Sequence, residues 1–202
     1  MRILYYTNDV ITNSEIQDYL SVLNNVTRIT VRPTLENLTG SKFDVLVSDR
    51  SRYIIPQSVI EMFDGRVCNL HPSFLPYNRG DQPLLWAAVE GTPYGVTLHK
   101  VNEKFDEGDI ISQSRFVLPE WYSLKLAYQT VRAYMVDLFK TSWTTGLVLE
   151  SLKNPSLLIK NDVENGSTKS RAQGRAAVAK LPHGWETTLG YLSKNKSEYL
   201  AL

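Results

Sequence analysis

The chain has 202 residues, enough for one sizeable core, with 22 Lys and Arg against 21 Asp and Glu and a formal charge of +1. That balance offers no global field for nucleic acid, the single Cys68 excludes an internal disulfide and favours a reducing compartment, and no run reaches the ~18 apolar residues of a membrane span. The expectation is a cytoplasmic protein with no membrane and no nucleic-acid partner, opening on a short strand rather than a signal peptide.

Ile3 to Thr7 reads as the first strand, short and apolar. Thr12 and Glu15, three apart, have capping-box spacing. Ile16, Tyr19, Leu20 and Leu23 follow at helical intervals. Val26 to Val31 and Phe43 to Ser48 are the next strands, and Pro56 opens a helix carried by Val59, Ile60 and Phe63. Asp64-Gly65 turns the chain into a strand over Arg66 to His71, which stops against Pro72. Strands alternating with helices predict an α/β fold, a doubly wound and mostly parallel sheet. Ligands of such sheets sit beyond the carboxyl ends of the strands, where Asn69 and His71 fall. The first glycine is Gly40, so the first strand-to-helix turn lacks the G-x-G-x-x-G of a dinucleotide site.

Pro83 opens a short helix over Leu84 to Glu90, closed by Gly91-Thr92-Pro93. Gly95 to Val101 and Ile110 to Leu118 are strands joined by an acidic turn. Leu124, Ala127, Tyr128, Val131, Met135, Leu138, Phe139 and Ser142 form one stripe of a long amphipathic helix. From Asn154 the pattern dissolves into polar residues, Gly166, Gly174 and Gly184. The domain reading is one catalytic domain over 1–153 and a loosely structured C-terminal extension over 154–202.

Two clusters carry chemistry. Asn69 and His71 project from one face of a strand end, because strand side chains repeat every second residue. Phe105-Asp106-Glu107-Gly108-Asp109 adds carboxylates in a turn. An amide, an imidazole and a carboxylate brought together are the parts of acyl transfer: an oxyanion donor, a proton shuttle and an orienting group. Asn102, Asp106 and Asp109 miss the calcium-loop spacing, and no His or Cys pair has zinc spacing, so no metal is expected. His99, in mid-strand, reads as a sheet-face residue, and His183 as a loop histidine. Arg79 reads equally as a phosphate contact or a structural residue. Trp121, Trp143 and Trp185 are taken as packing, and Cys68 as a buried small hydrophobe.

N-L-H-P-S-F-L-P-Y-N-R-G from Asn69, then P-L-L-W-A-A-V-E-G, then G-V-T-L-H-K-V-N-E-K-F-D-E-G-D-I-I-S-Q ending at Gln113, resembles the core of the folate-dependent formyltransferases. The resemblance implies a Rossmann-like formyltransferase core with 10-formyltetrahydrofolate as formyl donor and Asn69, His71 and Asp106 as catalytic residues. It implies folate contacts, largely through backbone, at Arg52, Tyr53, Ile54 and Ile55 and at Val101 through Phe105. The Asn-x-His motif arrives earlier than is usual in that family, which implies a shortened N-terminal half.

The acceptor is read from what surrounds the core. The basic residues Lys169, Arg171, Arg175 and Lys180 are too few for a tRNA platform. Purine-type relatives have a Gly-rich phosphate loop after the first strand, where this chain has Tyr6-Thr7-Asn8-Asp9. The segment S-D-R-S-R-Y-I-I-P is similar to that of the family's N-formyltransferases acting on nucleotide-linked amino sugars. The expected partner is therefore a small-molecule amine on a nucleotide-linked sugar, and a homodimer is compatible with the reading. The alternatives are a glycinamide ribonucleotide or other small-amine formyltransferase, and a non-catalytic folate-binding module of the same fold.

Overall fold

A computed structural model describes residues 1–9 and 14–202. Its strands and helices run in chain order as β1 (Arg2–Tyr6), α1 (Glu15–Ser21), β2 (Asn25–Ile29), α2 (Leu35–Leu38), β3 (Val45–Asp49), α3 (Gln57–Met62) and β4 (Val67–His71). There follow β5 (Arg79–Gly80), α4 (Pro83–Glu90), β6 (Tyr94–Lys100), β7 (Ile110–Phe116), α5 (Leu124–Thr144) and α6 (Leu147–Lys153). The chain ends with β8 (Thr168–Lys169), α7 (Arg171–Ala179), α8 (Leu189–Lys194) and α9 (Ser197–Leu200).

The main sheet has six strands in the order β2-β1-β3-β4-β6-β7, and the first four are parallel. β1 and β3 are apolar at nearly every position because strands inside such a sheet are covered on both faces. β6 turns back: the Val101 N–H bonds Val67 O at 2.9 Å while His99 meets Asn69, so it runs antiparallel to β4. The sheet is thus mixed and mostly parallel, the α/β class expected. Ser48 pairs with both Tyr6 and Asn69, which sets the carboxyl ends of β1, β3 and β4 at one level.

The chain packs as two compact units, and the division passes through β6, β7 and α5. The first comprises Met1–His71, Leu98–Ser112 and Val136–Lys160. In it Leu4, Tyr6, Leu46 and Val67 point to one sheet face and bury Leu38 of α2 and Ile55, Val59, Ile60 and Phe63 of the α3 region. Tyr5 points the other way, and its hydroxyl reaches Ser14 at 2.6 Å and Asp49 at 2.5 Å. Ser14 also caps α1 by accepting from Gln17 N, so Glu15 is the first helical residue rather than the third. Thr12, expected in that role, lies outside the described residues.

Cys68 is fully buried on β4, and burial pushes its thiol up to about 12. A native sample treated with a thiol reagent at about pH 8 is expected to stay unmodified, and to react once denaturant is added. Below about pH 8.5 the thiol is neutral whether folded or unfolded. Above that the unfolded chain ionises first, so this burial lowers stability as pH climbs toward 12. Titrating native reactivity by mass spectrometry checks the accessibility directly.

The second unit comprises Pro72–Thr97, Gln113–Met135 and Asn161–Leu202. Its centre is α4, buried from Pro83 to Val89, against which α8 and α9 pack. The Glu90 carboxylate at the end of α4 takes Lys169 Nζ at 2.8 Å, and hydrogen bonds from Asn78 and Ser167 at 3.0 Å. Lys169 Nζ also lies 4.4 Å over the Trp86 ring, and a desolvated contact of this kind is worth about 2 kcal/mol. Lys169 is therefore a structural cation.

The expectation of a loose C-terminal extension is corrected here, because residues from Asn161 onward carry three helices and bury Ala177, Leu181, Leu189, Leu192 and Tyr199. Gly174, read as a loop signal, lies inside α7 because a Cβ there would come within 1.9 Å of the Asp81 carboxylate. Ser170 and Gln173 form a capping box that starts that helix.

Candidate active site

Four side chains of the first unit converge at the carboxyl end of β4. Asn69 and His71 come from β4, His99 from β6, and Asp106 from the turn after β6. His71 Nδ1 lies 3.4 Å from Asp106 Oδ2, and His99 Nε2 lies 3.5 Å from Asp106 Oδ1. Asn69 Nδ2 is 3.1 Å from His99 Nε2 and donates to Asp106 Oδ1 at 3.4 Å. His71 and His99 are buried, whereas the Asp106 side chain keeps 10% of its surface exposed. A carboxylate so nearly enclosed needs donors around it, and here the His71 imidazole and the Asn69 amide supply them.

The turn holds Asp106 in the left-handed region, with φ at 52°. Lys104 N bonds Asn102 Oδ1 at 3.0 Å, and Lys100 N bonds Asp109 O at 2.9 Å, closing the base of the loop. Gly108 lets the returning chain pass close, since a Cβ there would sit 1.7 Å from Lys100 O. Asp109 pairs with Lys160 at 3.5 Å and Glu107 with Lys104 at 3.6 Å, both through exposed lysines.

Asn69, His71 and Asp106, singled out from the sequence, are thus neighbours. His99, expected on a sheet face, joins them from there as the cross-strand neighbour of Asn69. The seven-residue interval from His99 to Asp106 spans the strand end and the turn, but it is visible as a signal only once β6 is known to lie antiparallel beside β4. The residues expected at folate divide by exposure. Tyr53 and Phe105 are 48% and 49% exposed, and Arg52 is exposed, its backbone N–H donating to Asn8 Oδ1 at 2.6 Å. Ile55 and Val101 pack with the core, and Ile54 O accepts from Arg32 Nε at 3.1 Å. Ile55 is buried, so what it can offer a ligand is backbone, whereas Val101 is only partly buried.

Other candidates resolve as structural or solvent-facing. Arg79 is buried and donates to Val163 O at 3.1 Å, and His183 is an exposed loop residue. Trp143 stacks on Phe139, but Trp121 is 70% exposed, so the packing role expected of it is corrected. Among the described residues no group of three or more His, Cys, Asp or Glu is placed to hold a metal ion, and no helix is long and apolar enough to cross a membrane.

An amide donor, an imidazole and a carboxylate gathered at the strand ends of a mixed α/β sheet are the groups by which acyl-transfer enzymes handle an oxyanion and a proton. The chain belongs to the formyl transferase family, whose model, described as "Formyl transferase", matches residues 31–138, more than half of its length. Among curated proteins it is similar to dTDP-4-amino-4,6-dideoxyglucose formyltransferase of Mycobacterium bovis, 34% identical over 88 residues, which are 43% of this chain and 36% of that protein. The matched segment thus spans about a third of that relative's length. Among solved structures it is similar to the formyltransferase PseJ from Anoxybacillus kamchatkensis in complex with UDP-4,6-dideoxy-4-formamido-L-AltNAc and tetrahydrofolate. That match has a TM-score of 0.81 at 26% identity, over 95% of this chain and 97% of PseJ. The fold is also that of a sugar N-formyltransferase from Shewanella, with a TM-score of 0.71 at 21% identity over 98% of this chain and 87% of the other.

Proposed function

We propose that this chain transfers a formyl group from 10-formyltetrahydrofolate to the amine of a nucleotide-linked amino sugar, with Asn69, His71 and Asp106 as its catalytic residues. The contact of His71 with Asp106, and of Asp106 with Asn69, carries the reading. The folate would supply a formyl group on a nitrogen able to leave. Tyr53 and Phe105 fit such a donor, since half-exposed rings can cover a flat heterocycle while the backbone from Arg52 to Ile55 and from Val101 to Phe105 addresses its edge.

The residues divide the work between them. The acceptor's neutral amine forms a C–N bond to the formyl carbon, and the carbonyl oxygen takes the electron pair. Asn69 Nδ2 donates to that oxygen as it gains charge. His71 takes the proton the amine must lose and returns it to the departing nitrogen as the old C–N bond breaks. Asp106 orients the imidazole and balances the positive charge it acquires.

The sugar acceptor is supported by the names of the relatives. PseJ, matched nearly end to end, is held with a nucleotide-linked formamido sugar and tetrahydrofolate, which supports turnover on a fold of this length. The first loop also speaks against a phosphorylated glycinamide. Where purine-type relatives carry a Gly-rich cradle, this chain sets the Asp9 carboxylate on Arg50, and Arg28 donates to Asp9 O at 2.6 Å. A phosphate there would meet a carboxylate already in possession of the guanidinium.

Purified protein with 10-formyltetrahydrofolate should formylate a 4-amino- or 3-amino-deoxysugar on a nucleoside diphosphate, read by mass spectrometry, and leave glycinamide ribonucleotide and methionyl-tRNA nearly untouched. Efficient formylation of either would overturn the acceptor assignment. Tight tetrahydrofolate binding with no transfer to any amine would make the chain a folate-binding module.

A further inference from the structure

His99 is almost fully buried, at 2% exposure, and both of its ring nitrogens are in hydrogen-bond contact. Its Nδ1 lies 2.9 Å from the carbonyl oxygen of Lys100. A carbonyl only accepts, so Nδ1 carries the hydrogen, and in the neutral ring Nε2 is left with a lone pair. Of the two polar atoms near that lone pair, Asn69 Nδ2 is closer, at 3.1 Å against 3.5 Å for Asp106 Oδ1, and it alone can donate, so its two hydrogens divide between His99 Nε2 and Asp106 Oδ1 at 3.4 Å. The opposite amide orientation would set Asn69 Oδ1 against a lone pair and a carboxylate at once.

We propose that His99 is a positioning residue that locks the Asn69 carboxamide with its NH2 group turned to Asp106. Gly108 seals the lock, because the chain there closes on the same Lys100 carbonyl, to which a Cβ would come within 1.7 Å, and on His99 Nδ1 at 3.4 Å. The catalytic consequence rests on the formyl-transfer reading. The hydrogen on His99 is held by the shorter contact, and the one on Asp106 by the longer. The second is therefore the one exchanged for the developing oxyanion, with no search over amide rotamers.

The test pairs an activity-independent measurement with a substitution series. In protein labelled with 15N-histidine, long-range proton–nitrogen spectra should report the Nδ1–H tautomer for His99. The Asn69 side-chain NH2 signals should shift in His99→Leu. An Nε2–H or doubly protonated ring at neutral pH, or unchanged Asn69 signals, overturns the lock even if the protein transfers no formyl group at all.

With an active acceptor, His99→Leu and His99→Asn should each lower kcat about a hundredfold while KM for donor and acceptor moves by less than about threefold. His99→Gln, whose terminal oxygen reaches the Nε2 position, should restore most of the loss. Rescue with wild-type-like Asn69 signals supports the lock. A Gln variant that folds, by its melting curve, yet is as slow as His99→Leu overturns it, as does a loss carried by KM alone. Absence of transfer by the wild type sinks the formyl-transfer reading, while the tautomer and the Asn69 signals still decide the lock.

Discussion

Asn69→Ala is expected to lower kcat by about two to three orders of magnitude while tetrahydrofolate affinity stays within about twofold. The asymmetry follows from when the amide acts. Its donor faces an oxygen that bears charge only along the reaction path, so the stabilisation lost is that of the transition state. Truncation also takes one donor each from His99 and Asp106, with which Asn69 Nδ2 is in contact at 3.1 and 3.4 Å. Because that loss weighs on the folded protein whether or not substrate is present, it should appear as a lower melting temperature rather than a lower rate. Steady-state kinetics beside a tetrahydrofolate binding titration separates the two. Turnover close to wild type on an authentic acceptor would remove Asn69 from the oxyanion.

The second large effect is a failure of additivity. His71→Asn and Asp106→Asn should each remove most of the rate, by about two to four orders of magnitude. The double variant should be little slower than the slower single one. The reason is their 3.4 Å contact: once the imidazole is gone, the carboxylate has no proton carrier to orient, and once the carboxylate is gone the imidazole shuttles from the wrong pose. Glu107→Gln is a useful control, since that carboxylate is the next one along the turn and pairs with the exposed Lys104. Losses that simply multiply in the double variant would show that His71 and Asp106 act separately.

Much of this was legible in the residues, for a physical reason. Apolar runs such as Ile3-Leu4-Tyr5-Tyr6 and Val45-Leu46-Val47 have one stable use in an alternating chain, as covered parallel strands, and they form β1 and β3 within two residues of expectation. Asn69 and His71 were readable because i and i+2 on a strand must share a face. His99 was not, because its relation to Asn69 is a matter of register between β4 and β6, which no single-strand periodicity contains. The C-terminal region was misread for a related reason. Its helices are short, one carries Gly174 in its middle, and α8 and α9 pack on α4, about a hundred residues upstream in sequence. Pattern reading weighs local content, whereas a glycine facing Asp81 is a tertiary fact.

The backbone of Asp106 sets a cost on keeping this site. At φ 52° it occupies a conformation that glycine adopts freely and that an L-residue with a Cβ holds at a penalty on the order of 1 kcal/mol. Its carboxylate is moreover nearly enclosed, and desolvation disfavours its charge. Both contributions oppose folding and both vanish in Asp106→Gly. Folding and chemistry therefore pull position 106 in opposite directions. In a lineage or library under selection for foldedness alone, nothing would hold the backbone strain at position 106, and drift to glycine would relieve it at the expense of the contacts with His71 and Asn69.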